Sequence, residues 1–405
     1  MSPEIREVVR LRPGAKTAGL TLVSLLGGVC LLASCSSEKV VIFTLVEAED
    51  EGEGGNPAEP SELEPYRHRS RILALDLRRP DGKPRILTHG FFSAASPALS
   101  YDGGSVVFAG KRARAEPWQI WEMRVDGSRL RQVTREAREC TDPYYLPDRG
   151  IIFSGAVVDG RGGDARVRSL FTCHRDGSQV KRITFGQARD TKPMVMNDGR
   201  VLFLRQRPGS GREGTGAAAR WMTVHPDGSG IAPFRGPAPS RDGSATQSLI
   251  VSRLAAGETY GLFKLNPSAG QGGHALYHQP GFHAVGPILA GPRPVPETLT
   301  SVVDETKKSG WLLCLNAYVS EMGEIQRLKP GAIRRLRVFE MAGASGHRVL
   351  GEAPVERDGS FYLEVPADRP LGLSLLGVGG EALADFAGGL WVRPNEHRGC
   401  IGCHE

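Results

Sequence analysis

From Val40 onward the chain is written in short apolar runs, each closed by turn residues. "VVIFTLV" (Val40 to Val46), "VVFAG", "IIFSG", "VLFLR" and "LIV" hold three to seven mostly apolar residues, bounded by Gly, Asp or Pro. Runs of that length and composition predict β-strands rather than helices. The turns between them recur. Asp81-Gly82, Asp126-Gly127, Asp176-Gly177 and Asp227-Gly228 lie 45, 50 and 51 residues apart, each after a strand such as "WQIWEMRVDG" or "SLFTCHRDG". An Asp-Gly pair between two strands is the strongest short hairpin signal. In step with this series, Pro97, Pro143 and Pro193 precede the turns "YDGGS", "PDRG" and "NDGR". Two turn series in phase at this period predict four-stranded sheets repeated around an axis, an all-β propeller. Counting the central strands gives about six blades over residues 36–284, with "YGLFKLN" and "HALYH" completing the sixth.

The phrases "SPALSYDGGSVVFAG" and "IWEMRVDGSRLRQVT" resemble the TolB-like propeller repeat. The acidic, Gly/Pro-rich stretch at 47–69 reads as an exposed insertion within it. A Pro-rich linker at 285–300 ends the repeats. Beyond it, "SFYLEV" and "LGLSLL" alternate in polarity around turns at Asp358-Gly359 and Gly379-Gly380. Residues 301–405 therefore read as a small β-sandwich-like domain, of immunoglobulin or carboxypeptidase-regulatory type.

Composition changes this picture little. Gly at 52 and Pro at 28 of 405 residues suit a turn-rich fold. The net charge of +6 comes from scattered Arg residues, with no basic stripe interleaved with aromatics, so nucleic acid is not an expected partner. The N-terminus has a chemistry of its own. Arg6, Arg10, Arg12 and Lys16 precede "AGLTLVSLLGGVCLLASC", the basic and apolar regions of an export signal over residues 1–35. "LLASC" resembles a bacterial lipobox, which implies acylation at Cys35 and membrane attachment through lipid. Ser36 and Ser37 after it imply a periplasm-facing site on the outer membrane. In an exported chain a Cys140–Cys173 disulfide is an option, and His174 beside Cys173 is a candidate ligand.

The sharpest motif is at the other end. "HRGCIGCHE" (His397 to Glu405) contains Cys-x-x-Cys-His, in which Cys400 and Cys403 can each add to a haem vinyl group and His404 can lie under the iron. A redox disulfide or half of a zinc site would use the same thiols. No second Cys-x-x-Cys completes a four-thiolate site. One covalent c-type haem is therefore expected. His397, Met341 and His347 are candidates for the far side of the iron.

Taken in order, the propeller, the linker, "LLCLNAYVS", "RVFE", "DGSFYLEVPADRPLGLSLL" and "RPNEHRGCIGCHE" resemble the hydrazine synthase alpha subunit family. The resemblance implies that the middle domain ends in the haem-bearing motif. It also implies a further domain with a second haem, which has no counterpart in residues 1–405. In that family the motif histidine is recruited to a zinc ion, with a cysteine near it. By this resemblance His404 serves either iron or zinc, and Cys314 is a candidate zinc partner. The function implied is electron transfer or redox chemistry on small nitrogen compounds, with a redox protein or another haem subunit as partner. Whether the chain is itself a haem-dependent oxidoreductase stays open. The alternative is a non-enzymatic envelope lipoprotein whose propeller is a binding scaffold.

Overall fold

Four of the apolar runs become the second strand of a propeller sheet, where both faces are covered. Val106, Val107 and Phe108, Ile151, Ile152 and Phe153, and Val201, Leu202 and Phe203 are all fully buried. The computed structural model describes residues 40–48, 65–79, 82–157, 167–206, 219–236, 250–255, 259–265, 273–320, 322–341 and 346–402. The predicted export signal, Cys35 and most of the acidic insertion lie outside these.

Among the described residues the propeller strands fall into five sheets. Ser93–Leu99, Ser105–Lys111, Gln119–Arg124 and Arg131–Gln132 form one four-stranded sheet. The next two, starting at Cys140–Tyr145 and at Arg189–Val195, repeat it and are joined by a single parallel bridge, Arg168 to Arg189. Ile250–Leu254, Tyr260–Leu265 and Gly273–Tyr277 belong to a single three-stranded sheet, so "YGLFKLN" and "HALYH" start no new blade. The remaining sheet is closed by the propeller's first and last strands. Phe282–Leu289 pairs antiparallel with Val40–Glu47, followed by Ser70–Asp76 and Arg85–Ile86. Closure removes the open edge that the first strand would otherwise present. It also carries strand structure to Leu289, past the predicted start of the linker at 285.

The innermost strands share a kink that the prolines only hinted at. Ser96, Asp142, Lys192 and Gly286 have φ of +54°, +51°, +53° and +61°, and each precedes a proline (97, 143, 193 and 287). The pairing register slips at each of these points. A left-handed residue in a strand is a bulge, and non-Gly residues adopt it only where the surroundings over-determine it. Two of the four are tied together at the centre. Tyr66 donates its hydroxyl to Ser96 Oγ at 2.5 Å and lies 2.9 Å from Asp142 Oδ1.

The Asp-Gly turns form as expected, with Asp126, Asp176 and Asp227 accepting from the backbone N–H two residues on at 2.8–2.9 Å. Their glycines do more than bend. At Gly177 (φ +89°) a Cβ would stand 2.0 Å from the Val133 carbonyl oxygen of the preceding blade. Turn chemistry and inter-blade packing are thus one constraint.

The Pro-rich segment runs across the face that carries these turns. Arg293 N–H donates to Tyr101 O (2.9 Å), Glu297 N–H to Asn197 O (3.4 Å), and Ser301 Oγ to Asp227 Oδ2 (2.8 Å). It leads to two facing sheets. One holds Phe361–Pro366, Ser309–Cys314 and His397–Cys400, and the other holds His347–Pro354, Arg335–Met341, Leu371–Leu376 and Ala382–Leu390. Leu312, Phe361 and Val365 of the first share a core with Leu336, Leu371 and Leu375 of the second. The only helix among the described residues is the single turn Gly323–Gln326.

Closure is testable at Phe43. Its fully buried ring joins Leu73 and Ala284 of the closing sheet to Ile250 and Leu262 of the three-stranded sheet. Phe43→Ala is expected to cost about 3–5 kcal/mol, read as a lower denaturant midpoint with unchanged far-ultraviolet dichroism before the transition.

Candidate functional site

The tail "HRGC" becomes the third strand of the smaller sheet, and it runs parallel to its neighbour. His397 pairs with Trp311, Arg398 with Leu312, Gly399 with Leu313 and Cys400 with Cys314. Trp311 N–H donates to Glu396 O at 2.7 Å and Leu315 N–H to Cys400 O at 3.0 Å. Alternation then sorts the side chains. Cys314, 1% exposed, and half-buried Cys400 both face the sandwich core. Burial pushes the Cys400 thiol above its ordinary pKa. The Arg398 charge partly offsets this, while neighbouring Cys314 and Glu396 add to it.

The residues leading into this strand are held by the fourth-blade turn, Asp227 to Gly230. Fully buried Trp391 donates Nε1–H to Gly228 O at 3.2 Å. Its ring lies between two guanidinium groups, Arg205 at 5.0 Å and Arg398 at 5.8 Å. Arg398 donates to Trp391 O (2.6 Å) and to Ile231 O of the propeller (3.0 Å). Arg393 donates to Asp227 O (2.8 Å), Asp368 Oδ1 (2.6 Å) and Glu305 Oε1 (3.2 Å). Glu396 accepts from the N–H of Gly230 (2.9 Å) and of Arg393 (2.7 Å). These are charge-assisted bonds, the stronger kind, and several are sheltered from water.

Past Cys400 the chain turns tightly over Val319. A Cβ on Gly402 would stand 1.9 Å from the Val319 carbonyl oxygen, so only glycine fits between the two motif cysteines there. Ile401 beside it is 72% exposed. Cys403 and His404 lie outside the described residues. Around Cys400 the chain thus presents a half-buried first sulfur, an exposed apolar neighbour and backbone packed without room for a side chain.

Other candidates fall away from this point. His397 stands three residues before Cys400 and therefore on the outer face of the sheet. Its Nδ1 is 3.0 Å from the Tyr362 hydroxyl, and its ring stacks near Trp311 (6.0 Å) and Tyr362 (6.2 Å). Met341 and His347 pair with each other on the other sheet. His174 is the exposed last residue of its strand, 3.3 Å from Ser178 Oγ, while Cys173 points into the core, so the dipeptide does not act together. Cys140 and Cys173 are both thiols, so the disulfide considered between them is absent. Burial pushes each up to about 12. Among the described residues no group of three or more His, Cys, Asp or Glu is arranged to hold a metal.

Sequence reasoning passed over the outer face of this sheet. Trp311 and Tyr362 stack at 4.9 Å beside His397, and Leu313, Leu315 and Ile401 are exposed near them. The signal was present in "GWLLCLN", where both alternating sets are apolar, so one set has to face outward. A separate open groove of about 590 Å³ lies on the turn face of the propeller, lined by His174, Lys181, His225, Asp227 and Ser301 among others.

Comparison with known proteins agrees with this geometry. Residues 316–405 match the family model for the hydrazine synthase alpha subunit middle domain. Hydrazine synthase subunit alpha of Kuenenia stuttgartiensis is 37% identical over 93 residues, 23% of this chain and 10% of that protein. The solved Kuenenia stuttgartiensis hydrazine synthase superposes with a TM-score of 0.71 at 17% identity, covering 91% of this chain and 70% of that one. TolB from Acinetobacter baumannii covers 63% of this chain and 67% of its own at 17% identity, with a TM-score of 0.33. The chain is thus similar to the hydrazine synthase alpha subunit in sequence over its last quarter, and in fold over most of its length.

The turn that grips the tail should respond to acid. Burial works against ionisation of Asp227, but bonds from Ser229, Ser301 and Val302 outweigh it, so its pKa is lowered. A carboxyl depressed in the folded state stabilises above its unfolded value of about 3.9 and loses that contribution as pH falls through the folded value. Denaturant midpoints should therefore hold down to about pH 4 and fall below it. Asp227→Asn should lower the midpoint at neutral pH and flatten that acid slope.

Proposed function

We propose that this chain is an exported, lipid-anchored c-type haem protein of the hydrazine synthase alpha kind, carrying one covalent haem at Cys400 and Cys403. The observation that carries the reading is the place of the motif. Cys-Ile-Gly-Cys-His begins at the end of a strand wedged between sandwich and propeller, inside the segment that matches the alpha-subunit middle domain. Bound haem would supply reversible one-electron chemistry and an iron able to take a small ligand. The protein's part is positional. Cys400 is held by the parallel pairing to Cys314. Gly402 lets the loop lie flat against Val319, and Arg398 locks the strand to the fourth blade. His404 belongs to the immediate surroundings of the group.

The activity we infer is electron transfer or redox chemistry on small nitrogen compounds, in company with other subunits. The relative in sequence is one subunit of hydrazine synthase, and the Trp311–Tyr362–His397 face beside the motif is a surface on which a redox partner would sit. Anchoring would follow acylation of Cys35 and would place the protein on the periplasmic side of the envelope. One observation favours a second reading, a binding scaffold. The groove on the propeller face carries polar and titratable groups from two blades.

Two measurements test this. After co-expression with haem-maturation proteins, the purified chain should show a reduced-minus-oxidised c-type spectrum that survives acid–acetone extraction. Cys400→Ala and Cys403→Ala should each weaken the covalent attachment, and the double variant should abolish it. A wild-type chain without covalent haem would overturn the assignment and leave the scaffold reading. For the anchor, metabolic labelling with a radioactive fatty acid should mark the wild type and leave Cys35→Ala unlabelled.

A further inference from the structure

Cys314 and Cys400 are register partners on neighbouring parallel strands. Adjacent strands lie about 4.8 Å apart, within the Cα separation of about 4.4–6.8 Å that a disulfide spans. Paired positions project to the same side of a sheet, and both side chains join the same core cluster. The pairing is fixed on either side, by Trp311 N–H to Glu396 O and by Leu315 N–H to Cys400 O. Two cysteines so placed meet the Cα requirement for a disulfide from the same side of one sheet.

We propose that Cys314 and Cys400 form a reversible disulfide in the chain before any haem is attached, a modification site distinct from the Cys400/Cys403 attachment pair. The chemistry is exchange with a small or protein disulfide donor. Cys400, half-buried, is the sulfur a donor can reach, whereas Cys314 is 1% exposed. The Cys400 thiolate attacks the donor, forming a mixed disulfide and releasing one donor thiol. The Cys314 thiolate then displaces the second donor thiol from Cys400. Two protein thiols lose two electrons and two protons in all, and the donor is reduced to two thiols. A sulfur held in this bridge has no S–H to add across a vinyl group. The bridge therefore has to be reduced before Cys400 can take haem. That consequence rests on the haem reading; the disulfide does not.

Peptide mapping separates the two. The full chain, made without haem maturation, is incubated with oxidised glutathione, alkylated, and digested with trypsin under non-reducing conditions. Cleavage after Lys308, Arg327 and Arg398 gives peptides 309–327, with Cys314, and 399–405, with Cys400 and Cys403. The expected product is these two peptides joined, lighter by two hydrogens than their sum. The link should persist in Cys403→Ala and vanish in Cys400→Ala. Alkylated peptides with no link, a link that follows Cys403 instead, or glutathione left on Cys400 with Cys314 alkylated would each overturn the proposal. With maturation proteins present, Cys314→Ala should carry more haem than wild type under oxidising conditions and the same amount with reductant. Absence of haem in every variant would sink the haem reading while leaving the mapped disulfide standing.

Discussion

The grip of the fourth-blade turn on residues 391–398 is the contact on which the rest of the site depends. Trp391 is completely buried against Gly228, and Arg393, 3% exposed at its side chain, reaches Asp227, Asp368 and Glu305 at once. A buried cation with each of its three nitrogens bonded is tolerable, but the same cation with one partner removed is costly, by about 3–5 kcal/mol. The network therefore works as a unit. It fixes where the last strand starts, and the strand fixes where the motif lies.

That arrangement gives a propeller a part in holding so short a motif. A Cys-x-x-Cys-His segment is a short loop with few contacts of its own, and a sandwich edge alone would leave it free to fray. Here Arg398 spends its guanidinium on two carbonyl oxygens, one in the sandwich segment and one in the propeller. Parallel pairing to Ser309–Cys314 supplies the second side. Cys400, where the motif begins, is thus set in a corner with walls from both modules. Its outer wall is the stacked Trp311, Tyr362 and His397, and its inner wall is the sandwich core with Cys314.

The local rules were readable because they depend on a few neighbouring residues. Asp-Gly turns recur with the blade, since an aspartate that caps its own turn and a glycine at positive φ are properties of four residues. The kinks at Ser96, Asp142 and Lys192 could be suspected from the prolines after them, but not their left-handed φ, which runs against the usual preference before proline. The blade number was not legible. Val40–Glu47 and Phe282–Leu289 make one sheet across the whole length of the propeller, and no periodicity records a partner that far away. Both cysteines of the suspected Cys140–Cys173 pair are core residues, a distinction that spacing cannot express.

The motif at Cys400, the β-character of nearly all the described elements and the Asp-Gly turns at 126, 176 and 227 were determined by the sequence itself, because residue type at short range decides hairpin turns, alternation and thiol spacing. Tertiary structure decided that His397 turns outward to Tyr362, that Cys314 lies beside Cys400, and that Arg398 reaches across to Ile231. Each of those is a question of strand register or module docking. Register and docking are set by packing summed over many residues far apart in the chain, so no short stretch contains them.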